Sequence, residues 1–183
     1  MEHSDLTRLT RDVFPMLLER LSMDWRVDGI EIFSDIDFSS EIGLSSKIII
    51  IKSDTGKMTR AEDVILNYIT ETQCKQETIV IYNPLFPFIS IDKIDLLFQR
   101  VGNGFANSGI GSYFDAQGVL DVNMAKYSDR GIFAVINKAE FLRKNARLIA
   151  PADIISLSAL ELVSLRHEQD YELYGLIVNS GLI

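Results

Sequence analysis

Lys47-Ile48-Ile49-Ile50-Ile51-Lys52 is the stretch whose reading decides the fold. A half-exposed strand would alternate apolar with polar residues, and four consecutive isoleucines leave no polar face. Turn residues close in on both sides, Ser45-Ser46 before and Ser53-Asp54-Thr55-Gly56 after. The short bounded length and the β-branching favour a strand over a buried helix segment. The run predicts an interior strand covered on both faces, as in a sheet with helices packed on it.

Working downstream, Thr59-Arg60-Ala61-Glu62 has the form of a capping box, in which a threonine oxygen and a glutamate each satisfy an orphan backbone donor. Ala61, Val64, Ile65, Tyr68 and Ile69 follow as one helical stripe. Thr78-Ile79-Val80-Ile81-Tyr82 reads as a second buried-type strand. Strand, helix and strand in succession predict a parallel crossover unit. Two prolines exclude Asn83–Phe88 from a sheet interior. Ser90 is placed to cap a helix carrying Ile91, Ile94, Leu97, Phe98 and Val101. Gly102 to Ser112 reads as a glycine-rich loop, and Tyr113–Asp115 with Val119–Asn123 as a hairpin. Gly131–Ile136 predicts a strand, and Asn137-Lys138-Ala139-Glu140 opens a helix to about Asn145. Leu148-Ile149 predicts a short strand, Pro151 a helix start running to about Arg166, and Tyr171–Val178 a last strand.

Upstream, Leu6, Leu9, Val13, Leu17 and Leu21 have helical spacing, with Ser4 as a candidate cap. Pro15 kinks that helix or marks a second start capped by Asp12. Trp25, Val27, Ile30 and Ile32 flank Asp28-Gly29, the dipeptide of a tight hairpin turn. The alternation continues through Ile36 and Phe38 to a bend at Glu41-Ile42-Gly43. These elements predict a single compact domain over residues 1–183, of α/β or α+β class, with helices packed on a mixed sheet.

The chain of 183 residues can bury a full core without cross-links. Its formal charge of −8 runs against phosphate-backbone recognition, so nucleic acid is not an expected partner. The lone Cys74 fits a reducing compartment, and no leader-like or membrane-length apolar run occurs, so a cytoplasmic protein without membrane contact is expected. A mean hydropathy of +0.13 beside 24 % charged residues leaves apolar residues for a well-filled core or for a surface patch.

The charge is concentrated. Asp24, Asp28, Glu31, Asp35, Asp37 and Glu41 face only Arg26 between residues 24 and 41, a net of −5. Asp35 and Asp37 share one parity of a strand, and paired carboxylates can hold Mg²⁺. This Asp-x-Asp pair resembles the metal-binding pair of nucleotidyltransferases, which implies a third acid from a later strand, with Asp54, Asp115 and Asp121 available. No Gly-Ser pair precedes Asp35 at the spacing of that family. Against the metal reading, charge runs usually face water, and acids on an edge strand also discourage unwanted pairing.

The remaining candidates carry less chemistry. The glycines of 102–112 follow a helix and precede a strand, the reverse of a phosphate cradle, so a helix cap and loop are expected, with Phe105 and Ile110 able to dock on a partner. Cys74 has only His3 and His167 as imidazole partners and no local signature, and these residues make no zinc spacing. Lys138, Arg143, Lys144 and Arg147 spread over several helix faces, as on a solvated helix. Phe86 and Phe88 form either a core lid, the commoner outcome, or an exposed aromatic anchor.

No catalytic set emerges. The expected function is that of a non-enzymatic acidic protein that binds another protein, such as an immunity- or inhibitor-type protein neutralising a basic partner, with no cofactor. Its candidate binding residues are Asp28, Glu31, Asp35, Asp37, Glu41, Phe86, Phe88 and Phe105. The alternatives are a Mg²⁺-dependent nucleotidyltransferase-like enzyme using Asp35 and Asp37, and a structural subunit that associates with itself as a homo-oligomer.

Overall fold

The structure, a computed structural model, describes residues 13–34, 46–54, 58, 60–112, 132–165 and 167–181. These form α1 (Phe14–Met23), β1 (Ile30–Ser34), β2 (Ile48–Lys52), α2 (Ala61–Thr72), β3 (Thr78–Tyr82), α3 (Ile91–Gly102), β4 (Ser108–Ser112), β5 (Phe133–Asn137), α4 (Lys138–Lys144), β6 (Ala152–Ser156) and α5 (Glu168–Asn179). The expected caps Ser4, Asp12 and Thr59, the bend at 41–43 and the hairpin over 113–123 lie outside the described residues. The fold is α/β with two sheets. The chain divides into two units, one of residues 1–64 and 163–183 and one of residues 65–162.

In the second unit the strand order is β3-β5-β4-β6, with β5 antiparallel to both neighbours and β6 parallel to β4. β3 and β4 are therefore parallel and joined by α3. A crossover exists, but it is β3-α3-β4 rather than the expected β2-α2-β3, whose two strands belong to different sheets. Side chains along β5 alternate between two cores, as a pleated strand requires. Phe133 and Val135 join Ile94, Leu97 and Val101 of α3, while Ala134 and Ile136 join Ile65 and Ile69 of α2 and Phe141 of α4.

The stretch 102–112 is not a loop throughout. Gly104 takes a positive φ of 76° just after α3, a backbone conformation that favours glycine, but Ser108–Ser112 is an interior strand. Its glycines make room for Leu97 of α3 and for the Phe133 ring of the neighbouring strand. A Cβ on Gly109 would lie 3.1 Å from Leu97 Cβ, and one on Gly111 would lie 2.8 Å from Phe133 Cδ1 and closer still to Cε1. Buried Ser108 reaches across to the segment before β6. Its hydroxyl donates to the Ile149 carbonyl at 3.2 Å and accepts from the Ile149 amide at 2.8 Å. Asn107 adds bonds to the carbonyls of Ala150 and Pro151.

Asn137 caps α4 as expected, accepting from the Glu140 amide at 3.1 Å, and Asn145 closes the helix with a φ of 48°. The region after Pro151 departs from expectation. Ala152–Ser156 is a strand, because Ile154 and Ile155 serve opposite cores, and Leu148-Ile149 is not one.

In the first unit Pro15 stands in the first turn of α1, where a missing amide donor is tolerated, and Phe14, Leu17 and Leu18 are buried. β1 and β2 pair in parallel, Ile30 opposite Ile48 and Glu31 opposite Ile49. This corrects two expectations. Asp28-Gly29 makes no hairpin, since neither residue has a positive φ, and β2 is not covered on both faces, since Ile49 is 55 % exposed. The segment expected as a last strand is helix α5, whose buried Tyr171, Tyr174 and Ile177 recur every third residue. The Asp170 carboxylate accepts from the His167 amide at its start, at 2.8 Å. The Tyr174 hydroxyl lies 3.4 Å from Met16 Sδ of α1.

Candidate functional site

The chain leaves α1 through a turn that its own charges hold shut. The Asp24 carboxylate accepts from the Arg26 amide at 2.9 Å, from Nε at 2.8 Å and from Nη2 at 2.7 Å. These bonds from Arg26 hold the Asp24 carboxyl down at about 2, well below the usual carboxylate range. Lys47, at the entrance to β2, donates to the Val27 carbonyl at 2.7 Å and to that of Asp24 at 3.3 Å. The Val27 amide closes the turn on the Asp24 carbonyl at 3.2 Å. At its apex Trp25 is 86 % exposed, and neighbouring Met23 is 75 % exposed. Asp28 and Glu31, further along, are also exposed.

The expected binding residues therefore separate. Asp28 and Glu31 are on the surface of the first unit, Glu31 beside Ile49 on the more open face of its sheet. Asp35, Asp37 and Glu41 lie outside the described residues. Phe86 and Phe88 are buried and do not serve as exposed anchors: they form the core lid, Phe86 packing with Ile89 and Leu97. The Tyr82 hydroxyl donates to the Phe86 carbonyl at 2.6 Å and holds that loop in place. Phe105 is exposed, on the turn after α3, with the Arg100 guanidinium 5.9 Å from its ring centre. Arg100 in turn is paired with Asp153 of β6.

Several of the other groups considered from sequence have partners, while His3, Asp115 and Asp121 lie outside the described residues. Cys74 Sγ is 3.4 Å from Gln76 Oε1, and Lys138 donates to the Cys74 carbonyl at 2.7 Å. Arg143 pairs with Glu140 on the same helix. Among the described residues no three His, Cys, Asp or Glu side chains gather as metal ligands.

Two features escape a reading of the sequence. Trp25 reads there as a hairpin strand residue, and the signal for the turn is Asp24 and Arg26 standing on either side of it. The second is Glu161, the buried acid of the second unit. Its carboxylate accepts from the Ser90 amide at 3.1 Å, from the Ser158 amide and hydroxyl at 2.8 Å each, and from the Lys93 ammonium. Burial pushes this carboxyl up, but the bonds from Lys93, Ser158 and Ser90 together outweigh it and hold the group below its usual range. With four donors on one carboxylate, the cluster is a clasp between the start of α3 and the turn after β6. The signal for it is the Ser158-x-x-Glu161 capping pattern.

No protein-family model matches this chain, and a search of curated proteins returns no match. No helix among the described residues is long and apolar enough to cross a membrane.

Proposed function

We propose that this is a non-enzymatic protein that binds another protein, one with a basic surface, in the manner of an inhibitor or immunity protein. The observation that carries this reading is the exposure of Asp28 and Glu31 next to a turn whose own arginine is already engaged by Asp24. The formal charge of −8 gives a long-range attraction for a cationic partner, and the exposed carboxylates give it a direction. Such steering acts on association more than on residence time, and salt screens it.

The test is kinetic. A partner recovered with the immobilised chain is titrated against the wild type and against a D28N/E31Q double variant, at low and at physiological salt. The double variant should associate several-fold more slowly at low salt, and the difference should shrink as salt rises. An association rate that does not change at low salt rejects the reading.

A further inference from the structure

We infer that Trp25 is the anchor of this surface, and that the face of its indole receives an arginine or lysine side chain of the partner. The inference rests on the protein-binding reading above and adds the contact that gives it affinity.

Trp25 is the sole tryptophan of the chain and, at 86 %, the most exposed of its large apolar residues described. Solvating that much aromatic surface is unfavourable, and covering it with a partner side chain would recover that cost. The turn beneath it is tied by Arg26 to Asp24 and by Lys47 to two carbonyls, so little further ordering is needed when a partner arrives. Buried tryptophans dominate the energetics of protein interfaces, and a pre-positioned one does so at low entropic cost.

The charge pattern selects the occupant. The indole face attracts cations more strongly than any other side-chain ring. The carboxylates of Asp28 and Glu31 are exposed within the next few residues and favour the same sign. Met23, adjacent and 75 % exposed, supplies a soft apolar rim for the aliphatic stem of an arginine or lysine.

The experiment uses the full chain and a defined probe, a fluorescently labelled synthetic peptide of alternating arginine and leucine. A peptide with glutamate in place of arginine is the control. Binding is read twice, by anisotropy of the label and by the emission of Trp25. The basic peptide should bind and alter Trp25 emission, while the acidic peptide should do neither. Trp25→Ala should weaken binding about tenfold, and Trp25→Phe by less, since a ring face remains. D28N/E31Q should weaken the salt dependence but keep the emission change. Binding of the basic peptide with unaltered emission, and with equal affinity for Trp25→Ala, overturns the anchor and leaves the acidic surface standing. No binding of the basic peptide at low salt overturns the protein-binding reading itself. Because Trp25 is so exposed, the alanine variant is expected to fold, and circular dichroism checks this.

Discussion

β2 and β4 are both five-residue strands with a parallel neighbour, but they meet their surroundings in opposite ways. β2, four isoleucines and a lysine, pairs among the described residues only with β1 and leaves Ile49 55 % exposed. β4, Ser-Gly-Ile-Gly-Ser, lies between β5 and β6 with its first four residues buried. The difference lies in how near the surrounding side chains sit. Leu97 of α3 lies directly over Gly109, and the Phe133 ring of β5 over Gly111, so the space that side chains of β4 would fill is occupied by its neighbours. A residue can be buried because it is large and apolar, or because something large and apolar has come to it.

The sharpest way to break this comparison is to give β4 a side chain. Gly111→Val should destabilise the second unit by about 3 kcal/mol or more, because Phe133 is only 2 % exposed and has nowhere to move. Denaturant unfolding measures it, and a loss well below that would mean the layer above β4 is loose.

Glu161→Gln comes next, at about 2 kcal/mol. The Lys93 ammonium and the amides of Ser90 and Ser158 can only donate, so an amide nitrogen there would face donors in place of the acceptor they need. The same residue gives a pH test. Its folded value is depressed, so its contribution is complete above the ordinary glutamate value of about 4.5 and is lost as pH falls through the lower folded value. Thermal melts should show wild type losing stability below pH 4.5 more steeply than Glu161→Gln.

Gly109→Ala should cost about 1 kcal/mol, less than the change at 111, since Leu97 is a flexible side chain that can give by a few tenths of an ångström. Ile49→Thr, on the exposed face of β2, should shift stability by no more than about 0.5 kcal/mol. Ranking the four variants in one urea series tests the comparison directly. If Ile49→Thr cost as much as the glycine variants, the two strands would not differ in the way described.

The sequence made some of this legible and hid the rest for physical reasons. Helices α2, α3 and α4 could be read because their apolar stripes or caps are local signals, as with Asn137 accepting from Glu140. Strands β2, β3 and β5 could be read from β-branched runs, but their partners could not, since register and sheet membership depend on residues far away. β4 has the sequence of a loop because glycine signals turns unless the helix above is known. Helix α5 has the composition of a strand because tyrosine, isoleucine and valine favour strands, while its three-residue spacing of buried positions is the better guide. For the candidate site, the exposure of Asp28 and Glu31 followed from their charge, but the display of Trp25 did not. That display depends on Lys47 reaching the carbonyls of Asp24 and Val27 from twenty or more residues away in the chain.

The hydroxyl of Ser108 and the amide of Asn107 together continue the ladder between β4 and β6 past Ala152, where Pro151 has no N–H to offer. A rung made of backbone accepts almost any residue, whereas a rung made of side chains is written in the residues themselves. That end of the sheet is therefore one that a single change of identity, Ser108→Ala, can unfasten without altering any strand, and the Ile149 amide would register it as faster exchange with deuterium.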